Sequence, residues 1–349
     1  MAAPPAPLPS ELDDGSDLRS LLERVEEGLT AFLARERGRQ EAVTPHEADP
    51  ARAVAELVRS GGKRIRPRFL LSGYLAAGGT PGERPVRAAM ALELLHTAAL
   101  LHDDVMDDAA LRRSVRTAHT WHADLHRARG WRGEPRRYGE SMAVLAGDLA
   151  WAYADHLIAD LSPEVSREWF ELKTELIAGQ AMDVAASAAA LADAELARRI
   201  AVLKSGRYTV HRPLVLGALL AGRADLASGF AGYGDALGEA FQLRDDLIDA
   251  FGDPEAAGKP TGADARAGRT TLLTALAVRR EPRSPGWVSA ARTAPPDRGR
   301  AGATAHAAVE ARIAALLARA RQCLADAPLS PEWRRRLAVT AAAAVYRDR

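Results

Sequence analysis

Two acidic clusters of one pattern, Asp103-Asp104-Val105-Met106-Asp107 and Asp245-Asp246-Leu247-Ile248-Asp249, lie inside apolar stretches of helical spacing. On a helix, residues i and i+4 share a face and i+1 lies about 100° round it, so each cluster aims two carboxylates at one spot with a third beside them. The first is preceded by Ala91-Leu92-Glu93-Leu94-Leu95-His96-Thr97-Ala98-Ala99-Leu100-Leu101-His102 and the second by Gly238-Glu239-Ala240-Phe241-Gln242-Leu243-Arg244. A charge run is ordinarily a solvated helix face. Acids on segments this apolar instead point inward or into a cleft, where uncompensated charge is costly and a cation is needed. Carboxylate oxygens suit hard divalent ions, and Mg²⁺ binds through one or two carboxylates together with water and phosphate oxygens. The two clusters together predict a Mg²⁺-dependent site for a di- or triphosphate.

The remaining pattern predicts helices. From Leu18 onward Leu and Ala recur at helical spacing, and β-branched alternation is almost absent. Helical stretches cover 18–36, 49–59, 64–77, 84–107, 140–160, 164–188, 193–221, 224–251, 270–280, 304–326 and 330–346. Turn signals separate them, among them Ser60-Gly61-Gly62, Gly78-Gly79-Thr80-Pro81-Gly82, Ser162-Pro163 and Gly252-Asp253-Pro254. The expected fold is all-α, a single large helical bundle around a central cavity over 17–349, after a disordered tail over 1–16. Residues 122–139, rich in Arg, Gly and Trp, read as a surface loop, and 281–303, with Pro282, Pro285, Pro295 and Pro296, as a mobile one.

Composition narrows the functional classes. The 349 residues are 47% apolar, enough to bury a substantial core, and 47 basic against 46 acidic residues create no global field for nucleic acid or an anionic membrane. Anion binding must be local. A single cysteine, Cys323, excludes a disulfide framework within the chain and fits a reducing cytoplasm. No apolar run reaches the roughly 18 residues of a membrane span, and Met1 to Asp17 lacks the basic and apolar regions of a signal peptide.

Local cations are present beside small residues. Gly61-Gly62-Lys63-Arg64-Ile65-Arg66-Pro67 combines close backbone approach with a point charge and a planar guanidinium fork. Arg112 and Arg113 follow the first acidic cluster, and His96 stands seven residues before Asp103, on nearly the same helix face. Lys204-Ser205-Gly206 and Gly258-Lys259-Pro260-Thr261-Gly262-Ala263-Asp264 add further cations.

With these pieces in this order from about Leu57 to Leu273, together with AVLAGD (143–148) and GQAMD (179–183), the chain resembles the trans-isoprenyl (polyprenyl) diphosphate synthases. The segments Gly130-Trp131-Arg132-Gly133-Glu134-Pro135 and Tyr208-Thr209-Val210-His211-Arg212-Pro213 are most similar to the bacterial geranylgeranyl diphosphate synthase branch. The resemblance implies an isoprenoid-synthase bundle, a homodimer, and condensation of isopentenyl diphosphate with an allylic diphosphate. It implies three Mg²⁺ ions, two on Asp103 and Asp107 and one on Asp245, with Asp104, Asp246 and Asp249 acting through water. Lys63, Arg66, His96 and Arg113 would hold the diphosphate of isopentenyl diphosphate. Arg112, Lys204, Ser205, Gln242 and Lys259 would hold the allylic diphosphate, with Gln180 and Asp183 supporting the reacting end.

Ser114-Val115-Arg116-Thr117 departs from the family's Gly-x-Pro-Thr turn, Ser205 stands where threonine is commoner, and Arg269 replaces a frequent lysine; none of these removes a metal ligand. A class I terpene cyclase is disfavoured because Asp249 and Asp253 stand where its second metal motif carries Ser/Thr and Glu. A non-catalytic partner subunit is disfavoured because both acidic clusters are whole. Ala98 and Ala99 stand where the family's farnesyl synthases often carry an aromatic floor, so the expected product is C20, with C15 or longer chains as alternatives.

Overall fold

The computed structural model describes residues 15–43, 49–112, 115–252, 262, 264, 268–280 and 300–346. The predicted all-α class holds. Helices run over Gly15–Val43 (α1), Pro50–Arg59 (α2), Ile65–Ala76 (α3), Glu83–Met106 (α4), Ala118–Arg129 (α5), Pro135–Ile158 (α6), Pro163–Ala188 (α7) and Ala194–Ile200 (α8). After a π-helical segment over Ala201–His211 come Arg212–Leu220 (α9), Ala227–Phe251 (α10), Leu272–Arg280 (α11), Arg300–Asp326 (α12) and Pro331–Val345 (α13). Arg113, Ser114, Asp253, Lys259, most of the expected tail (1–14) and most of the expected second loop (281–299) lie outside the described residues.

Local chemistry sets the helix ends. Asp49 caps α2 by accepting from the Arg52 amide at 3.0 Å with Pro50 at the first helical position, and Glu134 caps α6 by accepting from Arg136 and Arg137 at 2.9 and 2.7 Å. α5 ends on Gly130 in the left-handed region (φ 61°), where its amide meets the Arg127 carbonyl and that of Trp131 meets His126.

The chain forms two compact units. One comprises Asp17–Leu71 and Thr80–Ser166; the other comprises the described parts of Met1–Ser16, Ser72–Gly79 and Arg167–Arg349. In the first, α4 is buried almost all round from Val86 to Leu95, as a central helix must be, and packs on α2, α5 and α6. In the second, α10 is central and packs on the π segment, α9, α12 and α13. Its Tyr233 is fully buried and donates to the Leu337 carbonyl at 2.8 Å.

Two local expectations are corrected. Residues 122–139 are not a loop: α5 and α6 cover all but 130–134. His119, His122, Ala123 and His126 recur at i, i+3, i+4 and i+7 and form the buried face of α5, so imidazoles that look polar in the sequence serve as aromatic core. His122 meets Trp121 and Tyr138 edge-on, and His126 packs on Trp131 and Tyr138. The helix expected over 193–221 runs unbroken from Ala194 to Leu220, with π geometry over its middle, Ala201–His211. The expected absence of strands gives way to a short antiparallel hairpin pairing Leu111 with Arg116 and Arg112 with Val115. Among the described residues no helix is long and apolar enough to cross a membrane.

His122 makes a stability prediction. Burial, and then the nearby Arg52 charge, pushes its imidazole down to about 4, and among the described residues neither ring nitrogen has a hydrogen-bond partner. The fold keeps the ring neutral while the unfolded chain takes up a proton near pH 6.5. Stability is therefore complete above that pH and falls by up to about 3 kcal/mol as pH drops towards about 4. His122→Leu removes the orphaned nitrogens and is expected to add about 1 kcal/mol at pH 7 and more at pH 5 in urea unfolding. A variant less stable than wild type at pH 5 would contradict this reading.

Candidate active site

In the first unit the acidic cluster closes α4. Asp103 is half-buried, Asp104 is 3% exposed, and Asp107 is the exposed C-cap, its amide bonded to the Asp103 carbonyl at 2.8 Å. Asp108 then turns into the left-handed region at φ 49°. Arg112, on the hairpin, donates to Asp104 from Nε at 2.8 Å and lies 2.7 Å from it through Nη2, with Asp103 at 3.4 Å. Burial raises the Asp104 carboxyl above its usual range, and the Arg112 bond only partly offsets this.

His96, Ala99, Asp103 and Asp107 share one face of α4 by their spacing, and His96 and Ala99 are partly exposed. Ala98 is fully buried, because five residues carry it about 140° away from Asp103. The wall beside Asp103 is therefore read from Ala99 alone. Lys63 and Arg66 flank the start of α3, Lys63 exposed and Arg66 half-buried. Between them Arg64 takes a positive φ of 46° while its guanidinium binds Glu93 at 2.5 Å, the Val58 carbonyl at 3.0 Å and Glu26. That anchor fixes the turn carrying the two neighbouring cations.

In the second unit Asp245, Asp246 and Asp249 occupy the last two turns of α10. Gln242 donates to Asp246 at 2.8 Å, and Asp249 accepts from the Asp264 amide at 3.0 Å. Burial first, then the negative charges of Asp264, Asp245 and Asp249, push the Asp246 carboxyl well above its usual range.

Lys204 and Ser205 stand on the π segment, and Lys204 Nζ is 2.5 Å from Asp183 of α7. A methyl group at Gly179 would run into the Lys204 backbone, and one at Gly206 would come within 2.8 Å of the Gly238 carbonyl carbon. These glycines let the segment lie tight against α7 and α10. Gln180 is partly exposed on α7.

Both clusters thus sit at helix C-termini, with no basic residue in either last turn. That is the negative end of the helix dipole, where each added anion is unfavourable by about 0.3–1 kcal/mol. Together with the raised Asp104 and Asp246 carboxyls, the placement fits hard-cation binding. Among the described residues no three such side chains converge into a complete metal cage. The donors suit an ion that completes its shell with water and phosphate oxygens.

Known proteins share this sequence pattern and fold. The model of the polyprenyl synthetase family matches residues 50–292. The chain belongs to this family. Its fold is similar to the crystal structure of geranylgeranyl pyrophosphate synthase from Corynebacterium glutamicum complexed with isoprenyl diphosphate and magnesium, with TM-score 0.85 and 34% identity over 97% of this chain and 99% of that one. It is 32% identical over 269 residues to the farnesyl diphosphate synthase of Geobacillus stearothermophilus, covering 73% of this chain and 81% of the relative. It is 33% identical over 244 residues to the geranylfarnesyl diphosphate synthase of Aeropyrum pernix, covering 65% and 70%. The protein is a prenyltransferase. Relatives of different product length match it about equally, so likeness does not fix its product.

Sequence reasoning about this polyprenyl synthetase missed an ionic cluster behind Lys204. Arg207 and His211 of the π segment bind Asp235 at 3.0 and 2.6 Å, while Arg207 and Arg212 bind Glu175 at 2.6 and 2.7 Å. Arg212 also reaches Glu168 at 2.8 Å. The signal was faint: α7 carries Glu168 and Glu175 seven residues apart on one face, with no cation at helical spacing to pair them. Asp264 was seen only as part of a loop motif, and its influence on Asp246 comes from the folded chain.

Proposed function

We propose that this prenyltransferase condenses isopentenyl diphosphate head to tail (1′-4) with dimethylallyl, geranyl or farnesyl diphosphate, and that its main product is geranylgeranyl diphosphate, C20. Ala99 carries the chain-length reading: a small, partly exposed residue one turn before Asp103 on the same face leaves room for an isoprenoid tail. Lys63, Arg66, His96 and Arg113 hold the isopentenyl diphosphate. Arg112, Lys204, Ser205, Gln242 and Lys259 hold the allylic diphosphate. Mg²⁺, three ions held by Asp103 with Asp107 and by Asp245, and through water by Asp104, Asp246 and Asp249, supplies positive charge against the departing diphosphate.

As the allylic C–O bond breaks, negative charge grows on the leaving oxygens, and Lys204, steadied by Asp183, stabilises that charge more than the ground state. Gln180 borders the reacting end. The double bond of isopentenyl diphosphate attacks the allylic carbon, and the proton then lost passes to pyrophosphate. Apolar side chains exclude water, which otherwise traps the allylic cation as an alcohol.

The enzyme acts as a cytoplasmic homodimer in this proposal. α7 leaves Phe170, Ile177 and Val184 exposed by 59, 55 and 50% at seven-residue spacing, with exposed Ala178, Ala181 and Ala185 beside them, a stripe suited to a second copy. Cys323 is unpaired, as in a reducing compartment.

Incubation with Mg²⁺, isopentenyl diphosphate and each allylic primer, followed by mass analysis of dephosphorylated products, is expected to give mainly C20. Ala99→Phe places a ring in the tail's path at an overpacking penalty of about 1–3 kcal/mol and is expected to shift the product to C15. An unchanged product distribution would mean that the tail takes another face of the helix.

A further inference from the structure

A cavity of about 200 Å³ opens in the first unit on a different face of α4 from the one carrying His96, Ala99 and Asp103. From α4 it is lined by Leu101 and Asp104, whose mean direction lies about 130° round the helix from that face. Three guanidinium groups line it: Arg52 of α2, and Arg112 and Arg116 of the hairpin. Leu57 and Trp121 supply an apolar wall with Leu101. Lys63, Arg66 and His96, assigned above to isopentenyl diphosphate, are not among its lining residues.

The lining specifies a ligand chemistry. Each arginine meets a carboxylate, Arg52 with Glu56 at 2.7 Å, Arg112 with Asp104 at 2.7 Å and Arg116 with Asp124 at 2.6 Å. A guanidinium has five N–H donors, so one carboxylate does not exhaust it. Planar forks match phosphate oxygens in geometry and charge. Arg52 stacks 4.7 Å above the Trp121 ring, which holds its fork at the cavity edge. The volume falls below the roughly 300–1,000 Å³ of pockets that take drug-sized ligands, so the tail must be short.

We propose that this cavity binds a short isoprenyl diphosphate, such as a second molecule of the five-carbon substrate, and that its occupancy inhibits the enzyme. The inference rests on the prenyl-transfer reading above. Arg112 couples the sites, because it lines the cavity and also bonds Asp104 and Asp103. A diphosphate that takes a guanidinium edge in the cavity draws Arg112 away from the Asp103 side. The enzyme then holds its allylic substrate less tightly.

Isothermal titration of the full chain in EDTA with isopentenyl diphosphate is expected to show two sites in the wild type, and one in Arg52→Ala and in Trp121→Leu. Lys63→Ala is expected to keep the cavity site. Titration with inorganic pyrophosphate separates head-group binding from tail binding: weaker occupancy than isopentenyl diphosphate supports a role for the apolar wall, and equal occupancy overturns it. In steady state, wild-type velocity falls at high isopentenyl diphosphate, and raising the allylic primer restores part of it, as weakened allylic binding requires. Arg52→Ala and Trp121→Leu abolish that fall and leave kcat and KM at low substrate within twofold of wild type. One site in the wild type, or inhibition unchanged in both variants, overturns the cavity proposal while turnover at low substrate keeps the prenyl-transfer reading. Absence of product from every primer overturns that reading and this one with it.

Discussion

Asp103→Ala and Asp245→Ala are each expected to lower kcat about a thousandfold, the scale on which removal of a group that stabilises transition-state charge is felt, while leaving the fold intact. The two effects separate because the acids are placed for charge and not for stability. Asp103 and Asp245 are partly exposed near helix C-termini, where the dipole disfavours an anion by about 0.3–1 kcal/mol, and that relief offsets the long 3.4 Å Arg112 bond that Asp103→Ala gives up. Arg112 keeps its bonds to Asp104 in the first variant, so the hairpin retains its anchor. Thermal unfolding in EDTA should place both variants at or slightly above wild type. Added Mg²⁺ with pyrophosphate should raise the wild-type midpoint, as a ligand of the folded state must, and raise the variants less. Near wild-type turnover by Asp103→Ala would end the metal-assisted reading.

Most helices were legible because leucine and alanine at helical spacing leave little room for another fold, and the cap at Asp49 marks where one of them begins; the cap at Glu134 was passed over, and the first turn of α6 was read as loop. α5 was not legible, because its buried face is built from His119, His122 and His126, whose polarity in sequence hides their packing role. The π segment was also hidden. A stretch of helix-forming residues does not announce an extra residue per turn, and the segment here is held by close glycine contacts at Gly179, Gly206 and Gly238 and by partners far along the chain.

The site shows the same division. Asp103, Asp104 and Asp107 announce themselves by spacing within one helix, as do Asp245, Asp246 and Asp249. What spacing could not give was which carboxylates are buried, or that Arg112 rather than solvent holds Asp104. These depend on tertiary contacts.

The contacts behind Lys204 set the second large expectation, that Arg212→Met lowers stability by about 3–5 kcal/mol at pH 7, as when one partner of a buried ion pair is removed. Arg212 is 12% exposed and grips Glu175 by two bonds, Nε at 2.9 Å and Nη2 at 2.7 Å, with Glu168 at 2.8 Å. Burial alone would raise the Glu175 carboxyl, but Arg212 and then Arg207 outweigh it and hold the group below its usual range. Glu175 therefore contributes stability above the unfolded carboxylate range near pH 4.5 and loses it as pH falls through its lowered folded value. With Arg212 gone burial gains ground, the folded value rises, and acid unfolding should begin at a higher pH. The same clamp positions Lys204, to which charge stabilisation is assigned in the proposed function: Arg212 follows directly on the π segment and ties it to α7, the helix whose Asp183 holds Lys204. A shift of Lys204 by an ångström costs up to about a hundredfold in rate, so kcat should fall while KM for isopentenyl diphosphate stays near wild type, and Arg212→Lys should restore charge but only part of the rate. Urea unfolding at pH 7 and 5, with both kinetic constants, tests the set. A loss below about 1 kcal/mol would mean that water screens the pair as at an open surface, and the clamp would then have to be sought in the glycine contacts alone.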